Sequence, residues 1–159
     1  LVSNGRDAAD RIRTEGWMGD HRTRTEARNA AGVSENERLR PTVVPTRKGA
    51  EQSQRILRTL ARLEKTDGMQ FHELLFDSAT QLPKDATVIA IVSDVDMQKA
   101  IALGSLKKQG YSVTAIINTF VDDRFAKLSG LLLAEGIQTA HLKDHSSIVS
   151  ICEKHALMK

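Results

Sequence analysis

Three short runs of β-branched and apolar residues, separated by amphipathic stretches of helical length, restrict the fold of this chain more than any other feature. Ala86-Thr87-Val88-Ile89-Ala90-Ile91-Val92 is the first run and Ser112-Val113-Thr114-Ala115-Ile116-Ile117 the second. Both are apolar at successive positions, as strands buried on both faces are. Gly136-Ile137-Gln138-Thr139-Ala140-His141-Leu142 is weaker and more alternating, which predicts an edge strand. The gaps read as helices. Asp96 is placed to cap one over 96–109, with Met97, Ala100, Ile101 and Gly104 on one stripe. Gly110 then falls where a left-handed residue closes a helix. Asp122 is placed to cap the next, with Phe125, Leu128, Leu131 and Leu132 inward and Gly136 closing it. Asp144 or Ser146 opens the last, with Ile148, Ile151, Cys152 and His155 at helical spacing. The order βαβαβα predicts an α/β fold: three parallel strands, neighbours in sequence order, joined by right-handed crossovers, with helices on both faces.

The first half is less regular. A strongly amphipathic helix is expected over 51–64 through Ile56, Leu57, Leu60 and Leu63, broken by Thr66-Asp67-Gly68. A second helix is expected over 71–82, stopped by Pro83. Thr42-Val43-Val44 lies between Pro41 and Pro45, which confines it to the edge of a sheet. Leu1-Val2-Ser3 reads as the tail of a strand and Asn4-Gly5 as a turn. Residues 7–14 suit a short helix. Residues 17–40 are rich in Arg, Thr, Asn and Glu and lack an apolar face, so a long mobile insertion is expected. The division is therefore 1–50, holding a strand, a basic insertion and an edge strand, and 51–159, the α/β body of the same domain.

A chain of 159 residues suits one domain and buries enough surface to fold without staples. Cys152 is the only cysteine, so no internal disulfide forms, which fits a reducing compartment. No apolar run reaches the roughly 20 residues of a membrane span, and no signal peptide is visible. The chain opens on Leu1 rather than Met, and a missing N-terminal stretch is expected. The net charge of +3 is uneven: residues 1–50 hold ten Lys/Arg against seven Asp/Glu, and residues 51–159 hold thirteen of each. Aromatics are 4%, and Trp17 is the sole one in the basic third, so there is little for bases to stack on. Arg22, Arg24 and Arg28 read as a solvated linker, and no nucleic-acid partner is expected.

Asp94 and Asp96 are the best candidates for chemistry, because they follow the first clear strand at its C-terminal end, where ligands of open α/β sheets gather. Two carboxylates so spaced can hold magnesium or act as nucleophile and acid. Val92-Ser93-Asp94-Val95-Asp96 resembles the Asp-x-Asp of haloacid-dehalogenase phosphatases, but Met97-Gln98 stands where that family places Gly-Thr or a similar pair. The competing reading makes Asp96 and Asp122 helix caps and Asp94 a loop carboxylate. His21, His72, His141, His145 and His155 form no metal-ligand spacing, and solvated or capping roles are expected. Cys152 is expected to be a buried structural residue. No phosphate loop, dinucleotide fingerprint or nucleophile elbow is present.

Several stretches together resemble a known family. They are Leu1-Val2-Ser3-Asn4-Gly5-Arg6-Asp7-Ala8, Arg38-Leu39-Arg40-Pro41 and Ile56-Leu57-Arg58-Thr59-Leu60-Ala61-Arg62-Leu63-Glu64. They continue in Leu82-Pro83-Lys84-Asp85-Ala86-Thr87-Val88, Ala102-Leu103-Gly104-Ser105-Leu106-Lys107-Lys108-Gln109-Gly110 and Leu132-Leu133-Ala134-Glu135-Gly136-Ile137. Their order resembles the C-terminal part of a von Willebrand factor A-like domain, and more narrowly the bacterial family called domain of unknown function fifty-eight. The resemblance implies a three-layer Rossmann-like, mostly parallel sheet whose N-terminal central strand is missing here. It implies an adhesion-type metal site whose Asp-x-Ser-x-Ser motif would precede Leu1. A later threonine would fall near Thr66 to Gln70, and the last aspartate at Asp94, a remnant of that site. It implies no cofactor in this stretch and magnesium in the intact domain. It also implies a cytoplasmic domain of a parent protein that can be membrane-anchored, acting with a MoxR-type AAA+ ATPase in complex assembly. The expected function is thus a non-catalytic protein-interaction module. The alternative is a magnesium-dependent phosphoryl-transfer enzyme using Asp94 and Asp96.

Overall fold

The structure is a computed structural model, and it describes residues 1–8, 41–64 and 69–156. The expected insertion at 17–40, with Arg22, Arg24 and Arg28, lies outside these residues. So do His21, Thr66 and most of the expected helix over 7–14. The chain divides into two compact units, Leu1–Leu74 and Leu75–Lys159.

In the first unit, β1 (Val2–Ser3) pairs antiparallel with β3 (Thr42–Val43), Val2 opposite Val43. The Leu1 nitrogen donates to the Val44 carbonyl at 3.0 Å and the Val44 amide donates back to Leu1 at 2.8 Å, which extends the ladder by one pair. The turn after β1 leads to β2 (Arg6–Asp7), which pairs antiparallel with β4 (Leu63–Glu64). That second ladder alters the amphipathic helix. Helix α1 runs Ala50–Arg62 and stops there because Leu63 turns extended, at φ −71° and ψ 126°. Arg62 holds Asp7 at 3.1 Å across the same junction. The helix also rolls away from the stripe its sequence predicts. Gln52 and Thr59 are buried while Leu57 and Leu60 are exposed. Burial of these two polar residues is tolerable because each is hydrogen-bonded. Gln52 donates to the Pro45 carbonyl, and Thr59 donates to the Arg55 carbonyl one turn back.

Helix α2 (Phe71–Ala79) spans the boundary between the units and ends three residues before the expected stop at Leu82. Glu73 accepts the Gln70 amide at 2.7 Å, half of a capping box.

The second unit alternates as the sequence predicts: β5 (Thr87–Val92), α3 (Met97–Lys108), β6 (Ser112–Asn118), α4 (Asp122–Ala134), β7 (Gln138–Leu142) and α5 (His145–Ala156). The chain is therefore an α/β protein with a three-stranded parallel sheet in the order β5-β6-β7 and, among the described residues, five helices. Both long crossover helices close on a glycine. Gly110 and Gly136 have φ of 99° and 72°, in the left-handed region that a Cβ disfavours. Each anchors a full Schellman motif. The Gly136 amide reaches the Leu133 carbonyl at 2.8 Å and the Ile137 amide reaches Leu132 at 3.0 Å; Gly110 and Tyr111 repeat the pattern on Lys107 and Leu106.

The core of this unit is Leu103, Ile117, Leu132 and Ile137, all fully buried, with Ala100, Leu106, Val113 and Ala115 around them. Helices α3 and α4 pack against each other. Ser129 and Phe125 of α4 meet Thr139 and His141 of β7, so α4 lies on the face those residues share. Sequential strands added in one direction by right-handed crossovers place both connecting helices on one face. The opposite face is bare at β5: Ile89 is 52% and Ile91 67% exposed, although the sequence reads as buried on both sides. Met97 and Ile101, expected to face inward on α3, are exposed as well, and Leu103 and Leu106 take that place. Cys152, expected to be buried, is exposed on α5, and Ile148 beside it is 42% exposed.

Candidate functional site

The three parallel strands end on one edge of the sheet, and each is followed there by a loop and a helix N-terminus. The loop after β5 is pinned by Val95, which is 4% exposed between two solvent-facing carboxylates. Asp96 is the N-cap of α3: its carboxylate accepts the Lys99 amide at 2.8 Å, as expected from its position. That bond is the main reason its pKa is lowered. The Lys99 ammonium returns to Asp96 at 3.2 Å and stands 3.9 Å from Asp94. Asp94 also faces the Arg124 guanidinium at 3.4 Å, and the same nitrogen of Arg124 lies 3.5 Å from the Ser93 carbonyl.

Arg124 comes from the first turn of α4, so this contact ties the loop after β5 to the one after β6. The second tie runs from β6 to β7. Thr119 is buried directly after β6; its amide donates to Leu142 and its carbonyl accepts His141 Nε2 at 2.8 Å. The imidazole stacks flat on Phe125, with ring centroids 4.2 Å apart and planes 6° from parallel. His141 is therefore packed rather than solvated, contrary to the expectation for the histidines. Its Nδ1 stands 3.8 Å from Asp122. Asp122 is not a cap either. Val121 holds that position, and Asp122 is the first helical residue, its carboxylate bound to Lys143 at 2.7 Å. That ammonium is the main cause of the lowered Asp122 pKa. The loop after β7 closes with Asp144, which accepts from the Ser147 amide and hydroxyl, both at 3.0 Å, and from the Ser146 hydroxyl at 2.6 Å. These three bonds hold its pKa down at about 2.

The edge thus presents carboxylates that are individually engaged. Asp94 faces two cations, Asp96 serves a helix terminus and Asp122 holds a lysine. Such exposed pairs add little stability, but they tie the loops to one another. Among the described residues no three His, Cys, Asp or Glu side chains converge as metal ligands do. Magnesium requires near-octahedral oxygen. One carboxylate already facing Arg124 and Lys99 does not fit that ion on its own. Gln70, where the family resemblance wants a hydroxyl, belongs to the first unit and hydrogen-bonds Glu73 through its amide.

What sequence reasoning missed here is the apolar part of the edge. Phe120 is 76% exposed and Val121 56%, in the loop after β6, and Met97 at the start of α3 is 61% exposed. Their signal was position: two large apolar residues directly after a strand, ahead of an acidic helix start, have no core to enter. The cations Lys99, Arg124 and Lys143 were missed too, because helix spacing alone does not say which carboxylate each will meet. No helix among the described residues is long and apolar enough to cross a membrane. Comparison with protein-family models, with curated proteins and with solved structures finds no match to this chain.

Proposed function

We propose that this chain is a von Willebrand A-like, non-catalytic protein-interaction module of a bacterial protein, working in the cytoplasm with a MoxR-type AAA+ ATPase in complex assembly. The observation that carries the reading is the exposure of Phe120 at 76% and Val121 at 56% on the C-terminal edge of the parallel sheet. A large aromatic held in solvent on a loop braced at both flanks is the kind of anchor that protein interfaces bury. The bracing comes from Arg124 on Asp94 and Lys143 on Asp122. Pre-positioned side chains lose less freedom on binding, so the ties favour affinity without touching the partner. The finer fold assignment, a three-layer and mostly parallel sheet, is part of the same proposal. The parallel set β5-β6-β7 supports it. Asp94 is the residue this reading assigns to an adhesion-type metal site. Neither nucleic acid nor a membrane surface is required.

The test is binding of the chain to a purified MoxR-type AAA+ ATPase from the same genome, measured by biolayer interferometry. Phe120→Ser should weaken binding by tenfold or more while leaving the thermal melt unchanged, since the side chain stands outside the core. Binding that ignores both Phe120→Ser and Val121→Ser would remove the edge from consideration. Magnesium-dependent hydrolysis of a phosphate monoester, abolished by Asp94→Asn, would instead favour the phosphoryl-transfer alternative.

A further inference from the structure

We infer that Asn4-Gly5 is a site of backbone modification, an asparagine-to-isoaspartate conversion that the fold holds latent and that opening of the first unit releases. The inference is independent of the proposed function, which rests on the second unit. Asparagine followed by glycine is open to this chemistry because glycine has no side chain to shield its nitrogen. The Gly5 nitrogen attacks Cγ of Asn4 and closes a five-membered succinimide. Nδ2 leaves as ammonia, carrying away the proton that the Gly5 nitrogen gave up. Water then opens the ring and restores the Gly5 N–H. Addition at Cγ gives aspartate. Addition at the main-chain carbonyl gives isoaspartate, whose chain runs through Cβ and Cγ. One water is consumed and one ammonia released, with no change of oxidation state.

The fold holds each group that must move. The Gly5 N–H donates to Ser3 Oγ at 3.0 Å, and the Gly5 carbonyl accepts the Thr42 hydroxyl at 2.7 Å. Asn4 Nδ2 donates to the Met69 carbonyl at 3.0 Å, which fixes the side chain although Asn4 is exposed. Gly5 is buried, and a Cβ built there stands 3.0 Å from the Leu63 side chain and 3.2 Å from the Glu64 carbonyl. Strand β4 therefore lies close against the peptide that has to rotate. Ser3 is the positioning residue, since an amide hydrogen held by an acceptor is released only when the bond opens. All these partners belong to the first unit, whose two ladders are two residues long, and short ladders open well below the global unfolding free energy.

The consequence follows from the register. Only Asn4 and Gly5 separate Ser3, which faces Thr42, from Arg6, which faces Glu64. An isoaspartyl link lengthens this connection by one main-chain carbon, so both registers cannot be kept. The modification turns a transient opening into a lasting loss of one ladder.

Peptide mapping by mass spectrometry, with isoaspartate labelled by an isoaspartyl methyltransferase, follows the site at mildly alkaline pH. The chain unfolded in urea should convert about tenfold or more faster than the folded chain. Ser3→Ala should speed conversion of the folded chain about threefold or more, while Ser3→Thr, which keeps the hydroxyl, should stay slow. Thr42→Val frees the Gly5 carbonyl from the other side and should also accelerate it, which gives a second reading if Ser3→Ala fails to fold. The purified isoaspartyl form should unfold at lower urea than the unmodified chain. Equal rates in the folded and unfolded chains overturn the inference, as does a folded chain indifferent to both Ser3→Ala and Thr42→Val. An isoaspartyl form with the unmodified urea midpoint overturns it too.

Discussion

Glycine-to-alanine substitution should have opposite signs at two positions six residues apart, Gly130 inside α4 and Gly136 just beyond it. Gly130 is helical and exposed, and a Cβ built there meets nothing within 4 Å. Alanine there reduces the freedom of the unfolded chain and adds no clash, so Gly130→Ala should stabilise by about 0.5–1 kcal/mol. Gly136 has φ of 72° and its amide closes the Schellman motif at 2.8 Å on Leu133. A left-handed conformation costs an L-residue roughly 1–2 kcal/mol. The Cβ would also stand 3.1 Å from the Lys107 ammonium, whose side chain donates to the Gly136 carbonyl and must shift. Gly136→Ala should therefore destabilise by about 1–2 kcal/mol. Urea unfolding followed by far-ultraviolet circular dichroism reads both through the midpoint, with the slope unchanged. Gly136→Asn should lose less than Gly136→Ala, because asparagine tolerates this region better. If Gly136→Ala matched Gly130→Ala in sign, the turn would not be left-handed. The alignment of Ile137 with β7 would then need another cause.

Leu132 is fully buried, and Leu132→Ala should cost about 2–5 kcal/mol by the same urea assay. Asp96→Ala removes the cap of α3 and should cost about 0.5–2 kcal/mol, with Asp96→Asn recovering most of it. The Asp144 pKa is lowered from 3.8 to about 2, chiefly by the Ser146 hydroxyl and the Ser147 amide. A carboxylate whose pKa is depressed by folding adds stability that is fully present above its unfolded value and is lost as pH falls through the folded one. The urea midpoint should therefore decline from about pH 4 toward pH 2, and Asp144→Asn should flatten that decline. His141 Nε2 faces a carbonyl, which only accepts, so the neutral ring must carry its proton there. Nitrogen-15 shifts of the imidazole should report the Nε2–H tautomer, and the Nδ1–H pattern would contradict the Thr119 contact.

The second unit was legible because its signals are local. A strand of β-branched residues, an Asp before a helix and a Gly after it each act within a few residues. Asp96, Gly110 and Gly136 do what their positions announce. The misreadings come where a distant partner decides. Leu63 continues the apolar stripe of α1 in sequence, yet it leaves the helix to pair with Asp7, far away along the chain. Once Leu63 is held there, the helix presents Gln52 and Thr59 to the interior and turns Leu57 out. Neither polar residue looks like core until its acceptor is known, and Pro45 and Arg55 supply those acceptors through main-chain carbonyls that periodicity does not reveal.

The candidate site divides along the same line. Placing Asp94 and Asp96 at the end of β5 needs only the strand assignment, and that placement holds. Their chemistry depends on which cations the fold delivers, and Arg124 arrives from the next crossover helix, thirty residues on. A carboxylate pair two residues apart is ambiguous between metal ligand, nucleophile and cap, because all three need a negative charge near a helix N-terminus. The counter-charges bear on that choice: Lys99 and Arg124 face Asp94, while the Lys99 amide claims Asp96. The apolar residues of the same edge behave in the opposite way. Phe120 and Val121 would satisfy any pattern search as the start of a buried segment, since the strand before them is buried and the helix after them is amphipathic. Their exposure follows from the crossover itself. The chain must leave the sheet after Thr119 and reach the helix layer, and Thr119 is held at that exit by His141. Residues that bridge the two layers at the end of a sheet lie beyond the core's reach whatever their hydropathy, so a large apolar side chain kept there is available to a partner.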